Sequence, residues 1–380
     1  MRFLVLGAGK LGRAVIFDLC KFCPEAQIIL VDSSRNRLNA MVQEFPDGRI
    51  SVIKADLTDL DELSYVLSGA DVVISCIANR YNYILAKATI ESGASFCDVG
   101  SNDDIVRKQF LLNELAKEKG VAVIPSCGMA PGLVTIMAAK IVAGLDEIKD
   151  LKLRAGGLPL EPRPPFNYAQ SLPVDELIHE YAEDATIIRD GKLIRITSLT
   201  EVEEIEFQAP FGKLEAFHTA GGISTLPESL GAKSKNIDFK TLRYPGHCEK
   251  MKLLKELGLM ESTPLESLHS AIAPRTLLTQ LLDQRFPQDE PDVVLIRVDV
   301  NGLKDGVDQK RRIEAIDYMD EENNLSAVIR TTAFPVSIVA QMIASEQIKG
   351  KGTLHLEQNI PLEAFFAEVK KRGITLSERD

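Results

Sequence analysis

The segment Gly7-Ala-Gly-Lys-Leu-Gly12 follows the apolar run Arg2-Phe-Leu-Val-Leu6 and opens a helical pattern, and Asp32 closes the next apolar run, 20 positions after Gly12. In a strand-turn-helix unit the first glycine permits a tight turn, the second lets backbone approach a pyrophosphate, and the third allows close helix-to-strand packing. The free amides of the helix N-terminus then bind the anion. We assign Gly7, Gly9, Lys10, Leu11 and Gly12 to this cradle, and Asp32 to the ribose hydroxyls of a dinucleotide. Lys10 lacks the following Ser or Thr of a Walker phosphate loop. The charge of Asp32 repels the 2′-phosphate of NADP, whereas Arg35 either pairs with that phosphate or lies solvated at a helix start. NAD is the expected cofactor, and NADP stays open. Asp56, after the third apolar run, is expected near the adenine. Ser75, Cys76, Ile77 and Ala78, after the fourth, are expected beneath the nicotinamide ribose, because ligands of open α/β sheets sit beyond the carboxyl ends of the strands.

Proton-transfer groups are scarcer. Asp98 ends the fifth run beside Gly100 and Ser101, as an acid-base or amine-binding carboxylate or as a turn aspartate. Among five histidines, His218 ends a strand pattern before the Gly221-Gly222 turn and is expected to face a cleft, where an ordinary pKa of about 6.5 suits proton transfer. His247 begins a helix after Pro245-Gly246, where a helix N-terminus lowers a histidine's pKa; it either orients that turn or takes part in the chemistry. His179, His269 and His355 read as surface or packing residues, and Cys127 as packing rather than a nucleophile.

These residues need a scaffold. Gln27-Ile-Ile-Leu-Val31, Ile50-Ser-Val-Ile-Lys54, Asp71-Val-Val-Ile-Ser75, Ser95-Phe-Cys-Asp98 and Val121-Ala-Val-Ile-Pro125 continue the series of short apolar runs, with helical stretches such as 102–119 between them. Continuous hydrophobicity suits strands buried on both faces, and the strand-helix alternation implies a doubly wound parallel sheet. After Pro125 the pattern changes. Pro and Gly cluster in 155–165, read as a long surface loop, and Ile296-Arg-Val-Asp-Val300 alternates as a strand with one solvated face. Asp305-Gly306 before the extended stretch 311–318 signals a hairpin. Helical spacing returns in 335–348 and 362–371. The fold class is therefore α/β: a Rossmann domain over 1–125, an α+β substrate and dimerisation domain with a mainly antiparallel sheet over 126–333, and C-terminal helices over 334–380 that return to the first domain.

Composition narrows the class. The 380 residues carry 44 Lys and Arg against 55 Asp and Glu, a net charge of −11 and the wrong sign for wrapping nucleic acid or an anionic membrane. No apolar run is read as approaching the roughly 18 residues of a membrane span, and the N-terminal run meets Gly7, Gly9 and Lys10 rather than a cleavage site. A cytoplasmic enzyme with no nucleic-acid or membrane partner is expected. Six scattered cysteines form neither a disulfide framework nor a metal site, the Cys20-x-x-Cys23 pair included.

Four stretches carry more than the glycine loop: Cys127-Gly-Met-Ala-Pro-Gly-Leu133, Glu215-Ala-Phe-His-Thr-Ala-Gly-Gly-Ile-Ser-Thr225, Lys240-Thr-Leu-Arg-Tyr-Pro-Gly-His247 and Ile329-Arg-Thr-Thr332. With them the protein resembles the saccharopine dehydrogenase superfamily over nearly its whole length, most closely its lysine 6-dehydrogenase-like branch. The resemblance implies an NAD(P)-linked oxidoreductase acting on lysine or a lysine-derived secondary amine, and a homodimer. Glutamate-forming saccharopine dehydrogenases carry Asp where this protein has Ala130, which favours free lysine. The segment Gly352-Thr-Leu-His-Leu-Glu357 departs from a proline-containing turn of relatives.

Such a reaction moves hydride from the amine carbon to nicotinamide, and it works only from the neutral amine. It needs a base, an anion-binding group for the substrate carboxylate and a dry pocket. Asp98 and His218 are the expected catalytic pair. Arg243 and Arg330 are expected on the carboxylate, which a guanidinium binds bidentately, with Tyr244, Thr331 and Thr332 completing the pocket. Arg154 and Arg163 border the Pro-rich stretch or are solvated. Glu180 and Tyr181 face either the distal amine or solvent. The expected reaction is oxidation of the terminal amine of L-lysine to an imine that hydrolyses to semialdehyde and ammonia. The alternatives are a saccharopine dehydrogenase or related reductive condensing enzyme, and a non-catalytic NAD-binding regulator.

Overall fold

The computed structural model describes residues 1–265 and 272–379, so the expectation for His269 lies outside the described residues. The protein divides into two compact units. The first comprises Met1–Lys140, Ser224–Ser229 and Ile329–Thr375; the second comprises Ile141–Ile223, Leu230–Val328 and Leu376–Asp380. The divisions thus fall later than residue 125 and earlier than residue 334, and they place Arg330, Thr331 and Thr332 in the first unit.

In the first unit, β1 (Arg2–Leu6), β2 (Gln27–Asp32), β3 (Ile50–Lys54), β4 (Val72–Ser75), β5 (Ser95–Asp98) and β6 (Ala122–Ile124) form a parallel sheet in the order β6-β5-β4-β1-β2-β3. The two-residue strand Gly352–Thr353 adds to the β6 edge, also parallel. Leu6 is paired with both Val31 and Ser75, so strand order reverses at β1 and the carboxyl ends of β1 and β4 open side by side. That is the crevice in which doubly wound sheets bind ligands. One sheet face packs on a core containing Leu4, Leu6, Val73, Leu85 and Phe96. Helix α1 (Lys10–Phe22) meets the C-terminal helix Ala327–Ala344 through stacked Phe17 and Phe334.

The helix Ala327–Ala344 corrects two readings. It is 18 residues long with mean hydropathy 1.5, long and apolar enough to cross a membrane, but 89% of it is buried within the protein, as a core helix is. It also starts eight residues before the expected 335, with Pro335 inside it. The expected helix 102–119 is two, Asp103–Phe110 and Asn113–Lys119.

In the second unit, β7 (Glu147–Pro159), β8 (Ala185–Arg189), β9 (Lys192–Ile196), β10 (Glu203–Phe207), β11 (Gly212–His218), β12 (Ser234–Arg243), β13 (Asp292–Lys304) and β14 (Val307–Tyr318) build a mixed sheet. Its main order is β10-β11-β12-β7-β13-β14, followed by the C-terminal strand Leu376–Arg379; β12 and β7 are parallel and the other neighbours on this path antiparallel. Asp305 and Gly306, both at positive φ, turn β13 into β14 with Lys304 opposite Val307, as the hairpin signal indicated.

The stretch 155–165 is not all loop. Its first five residues complete β7, because a Cβ on Gly156 would come within 2.3 Å of the Leu242 carbonyl and one on Gly157 within 2.2 Å of Val328. These glycines mark close approach rather than a break in the strand. The charged face of β13 is only partly solvated: Asp299 is partly exposed and pairs with Arg312. Arg297 is buried, donating to Glu314 at 2.6 Å and to the Glu206 carbonyl, with its guanidinium over the Phe207 ring.

Candidate functional site

The glycine loop is built as its residue types require. Gly7 has φ +102°, and a Cβ there would meet Ile77 at 2.7 Å and the Cys76 carbonyl at 3.1 Å. A Cβ on Gly12 would fall 1.8 Å from the Gly7 carbonyl oxygen. A Cβ on Gly9 would meet nothing within 4 Å, so at this position the loop borders open space. Gly9 caps α1 without any side-chain hydrogen bond, and the first turn carries no acidic residue. The positive end of the 13-residue helix is therefore available to an anion.

Asp32, 7% exposed, accepts from the Ala8 amide at 2.8 Å and the Ser34 amide at 2.7 Å. Its carboxylate thus holds the loop in place while lying at the end of β2. Arg35 is exposed on the helix Arg35–Glu44. A cation close to the carboxylate is Arg37, 3.8 Å from Asp32 with an exposed side chain, which the sequence reading missed. Once Ser34 caps that helix, its first turn places residue 37 over the carboxylate. Asp56 is taken up locally: it is exposed, accepts from the Thr58 amide and hydroxyl, and these bonds hold its carboxyl below the usual range.

At the end of β4, Ser75 donates to Asn82 at 2.8 Å, Ile77 lies under Gly7, and Ala78 precedes the short turn Asn79–Tyr81. Burial pushes the Cys76 thiol up to about 12, so it stays protonated. Asp98 is fully buried. Its Oδ1 accepts from the Gly100 and Ser126 amides and its Oδ2 from Gln109 at 2.7 Å, leaving no face for a substrate. Burial raises its pKa. The expected catalytic carboxylate is instead a brace for the loops after β5 and β6. Arg330, also in the first unit, donates to the Arg372 carbonyl and lies over Phe334. Thr331 is fully buried, and Thr332 packs within 3.4 Å of where a Cβ on Gly128 would stand.

The second unit corrects His218. The ring is fully buried, with Nδ1 3.2 Å from the Phe239 carbonyl and Nε2 3.2 Å from Glu201, so it does not face a cleft. Burial foremost lowers its pKa. Arg154 is likewise internal, tied to Glu203 and Asp238, and Arg163 pairs at the surface with Glu290.

Arg243 is different. It is 6% exposed; Nε donates to Tyr181 Oη at 3.1 Å, Nη1 donates to the Leu242 carbonyl at 2.8 Å, and the guanidinium lies 5.2 Å from the Tyr168 ring centroid. Nη2 makes no hydrogen bond and no carboxylate oxygen lies within 4.0 Å, among the described residues. A buried cation with no carboxylate in direct contact is costly, and a carboxylate ligand offsets that cost. Glu180 is partly buried nearby. Burial pushes its carboxyl up to about 7, against the pull of Arg243. Tyr244 points elsewhere: its hydroxyl donates to the Pro159 carbonyl and its ring joins the cluster of Leu158, Phe207 and Leu214 on the other side of the sheet. Tyr168, in the loop after the Pro-rich stretch, had no signal in the sequence.

Residues 3–124 match the family model described as the saccharopine dehydrogenase NADP binding domain, and residues 128–374 match the saccharopine dehydrogenase C-terminal domain. The protein belongs to the saccharopine dehydrogenase family. It is 25% identical over 333 residues to saccharopine dehydrogenase [NADP(+), L-glutamate-forming] of Saccharomyces cerevisiae, covering 83% of this chain and 71% of that protein. It is 26% identical over 229 residues to alpha-aminoadipic semialdehyde synthase of Arabidopsis thaliana, covering 56% of this chain and 21% of that one. Among solved structures, the apo saccharopine dehydrogenase (L-Glu forming) of S. cerevisiae superposes with TM-score 0.81 at 20% identity, over 100% of this chain and 99% of that chain. The homospermidine synthase of Legionella pneumophila in complex with NAD gives 0.71 at 13%, over 100% and 91%. These superpositions show the shared fold. This saccharopine dehydrogenase family member is an NAD(P)-dependent oxidoreductase.

The site accepts a dinucleotide on the first unit: the positive end of α1, open space at Gly9 and a carboxylate at Asp32 fit its pyrophosphate and ribose. When bound, the nicotinamide supplies the hydride acceptor.

Proposed function

We propose that this protein oxidises the terminal carbon–nitrogen bond of lysine or of a lysine-derived secondary amine, with the substrate carboxylate on Arg243. The observation that carries the reading is the buried Arg243 guanidinium, which has an unused edge and no carboxylate partner among the described residues. Glu180 is the proposed base. Its proton balance near neutrality, beside a cation that favours the ionised form, suits removal of a proton from the substrate ammonium. Release of the imine as aldehyde and amine requires water, as in any oxidation of this type.

Two substrates fit this chemistry. Ala130 supports free lysine, the lysine 6-dehydrogenase reading, whereas the named relatives support saccharopine. NAD is the proposed preferred cofactor, supported by the Asp32 carboxylate at the end of β2, whose charge repels a 2′-phosphate. The test is reduced-nicotinamide absorbance with purified protein, NAD or NADP, and either L-lysine or L-saccharopine. Signal with L-lysine and ammonia release selects the lysine reading, and signal with L-saccharopine and glutamate or lysine release selects the other. No signal with either, in protein that binds NAD(P), rejects both. The proposed homodimer is checked by light scattering, which should return twice the 41.8 kDa mass of one copy.

A further inference from the structure

Behind Arg243 lies a second buried shell whose polarity has only one consistent direction. His247, fully buried, places Nδ1 2.9 Å from the Phe166 carbonyl and Nε2 3.1 Å from Tyr181 Oη. A carbonyl only accepts, so Nδ1 carries the proton and Nε2 is bare. Tyr181 Oη then donates to Nε2, and its remaining lone pair accepts from Arg243 Nε at 3.1 Å. Every donor in the relay from Arg243 through Tyr181 and His247 to the Phe166 carbonyl has an acceptor only while the imidazole is neutral. Burial first, and the nearby Arg243 charge second, keep it so. Aromatic rings flank the imidazole: Phe217 lies near-parallel to His247 at an interplanar angle of 12° with centroids 6.4 Å apart, and the Tyr168 centroid lies 5.5 Å from it.

Holding the turn before the helix His247–Glu256 does not require this imidazole. Glu215 already accepts from the Gly246 amide at 2.9 Å and from the Cys248 amide at 2.6 Å, capping that helix end from β11. The His247 side chain is thereby left to a different task.

We infer that His247 is a positioning residue for substrate binding, fixing through Tyr181 the orientation in which Arg243 presents its unused edge to the substrate carboxylate. The inference rests on the reading of Arg243 as the carboxylate site. A guanidinium pinned at Nε and Nη1 can offer a carboxylate only its remaining face, so the relay selects where the amine end of the substrate lies. A loose Arg243 would still attract an anion but would hold it in several poses, which weakens binding.

The experiment measures KM for L-saccharopine and L-lysine, and NAD(P)H dissociation by fluorescence, across five variants. His247→Leu should raise substrate KM about tenfold and leave nucleotide dissociation where it was. His247→Gln, whose amide N–H and C=O can replace both ring contacts, should return KM to within about threefold of the parent. Tyr181→Phe should match His247→Leu, and the double variant should be no worse than either, because both cut one relay. Equal losses for Leu and Gln at position 247, or additive losses in the double variant, would overturn the relay. Arg243→Ala separates the two levels: a raised KM there with an unchanged KM in His247→Leu removes only the relay, while an unchanged KM in Arg243→Ala removes the carboxylate site and the relay with it.

Discussion

At the scale of single residues, the decisive contrast is between ionisable groups whose partners are complete and those whose partners are missing. Asp98, His218 and Arg154 are all buried with hydrogen-bond or ion-pair partners inside the protein, the arrangement of a structural brace, despite their suggestive types. Glu180 is not satisfied in this way. Its ordinary pKa is raised to about 7, so it is a neutral acid below that pH and a carboxylate above it. As a base it must be ionised, and kcat/KM for amine oxidation should therefore rise through pH about 7 and level off above it, with Arg243, Tyr168, Tyr181 and Glu176 as the charged and titratable neighbours. Glu180→Gln should abolish that inflection and lower the plateau by about 100-fold or more. A profile whose inflection survives in the variant would assign the base to another group. At the cofactor end, Arg37→Ala should weaken NADP while leaving NAD unchanged, if this exposed cation meets the 2′-phosphate. Competitive fluorescence titration of the two nucleotides reads the difference.

At the scale of elements, the strand-turn-helix unit of β1 and α1 has no spare volume where it needs none and open space where a ligand would lie. Gly12→Ala would drive a methyl into the Gly7 carbonyl, so the turn must open. Nucleotide affinity should fall by at least about tenfold, although alanine is the better helix former by roughly 1 kcal/mol. Gly9→Ala meets no protein atom, and any loss of affinity there measures contact with the nucleotide itself. An unchanged NAD(P)H dissociation constant in Gly12→Ala would refute this account of the loop. The pattern of glycines was legible because each turn conformation admits few residue types. The identity of Arg37 was not, since an exposed helical cation is sequentially indistinguishable from its neighbour Arg35 until the helix start is fixed by Ser34.

At the scale of the first unit as a whole, the backbone leaves and returns, and a buried ion pair holds the return. Arg372 follows the helix Leu362–Lys371 and donates from Nε to Asp18 of α1 at 2.6 Å, both side chains fully buried. Ser337 and Gln341 of the helix Ala327–Ala344 complete the carboxylate's partners. Removing Arg372 leaves the Asp18 carboxylate buried without its counter-charge, so Arg372→Met should cost about 3–5 kcal/mol, and adding Asp18→Leu should recover much of it. Thermal melts of the single and double variants, with NAD(P)H present and absent, test this. A melting point unchanged in Arg372→Met would mean that the C-terminal return is held by its apolar contacts alone.

The sequence by itself determined the parallel sheet, the glycine loop, the hairpin at Asp305-Gly306 and the family, because each is written in local spacing: period of hydrophobicity, obligatory glycines and contiguous motifs. It did not determine which buried charges are spent. Arg243 and Arg154 are the same residue type, and both lie in strands of the same sheet. What separates them is that Glu203 and Asp238 reach one, while Tyr181 and an aromatic ring meet the other. That difference is a matter of which distant residues the fold brings within hydrogen-bonding reach. Only the tertiary structure decides it, because desolvation and pairing are properties of the surroundings rather than of the residue.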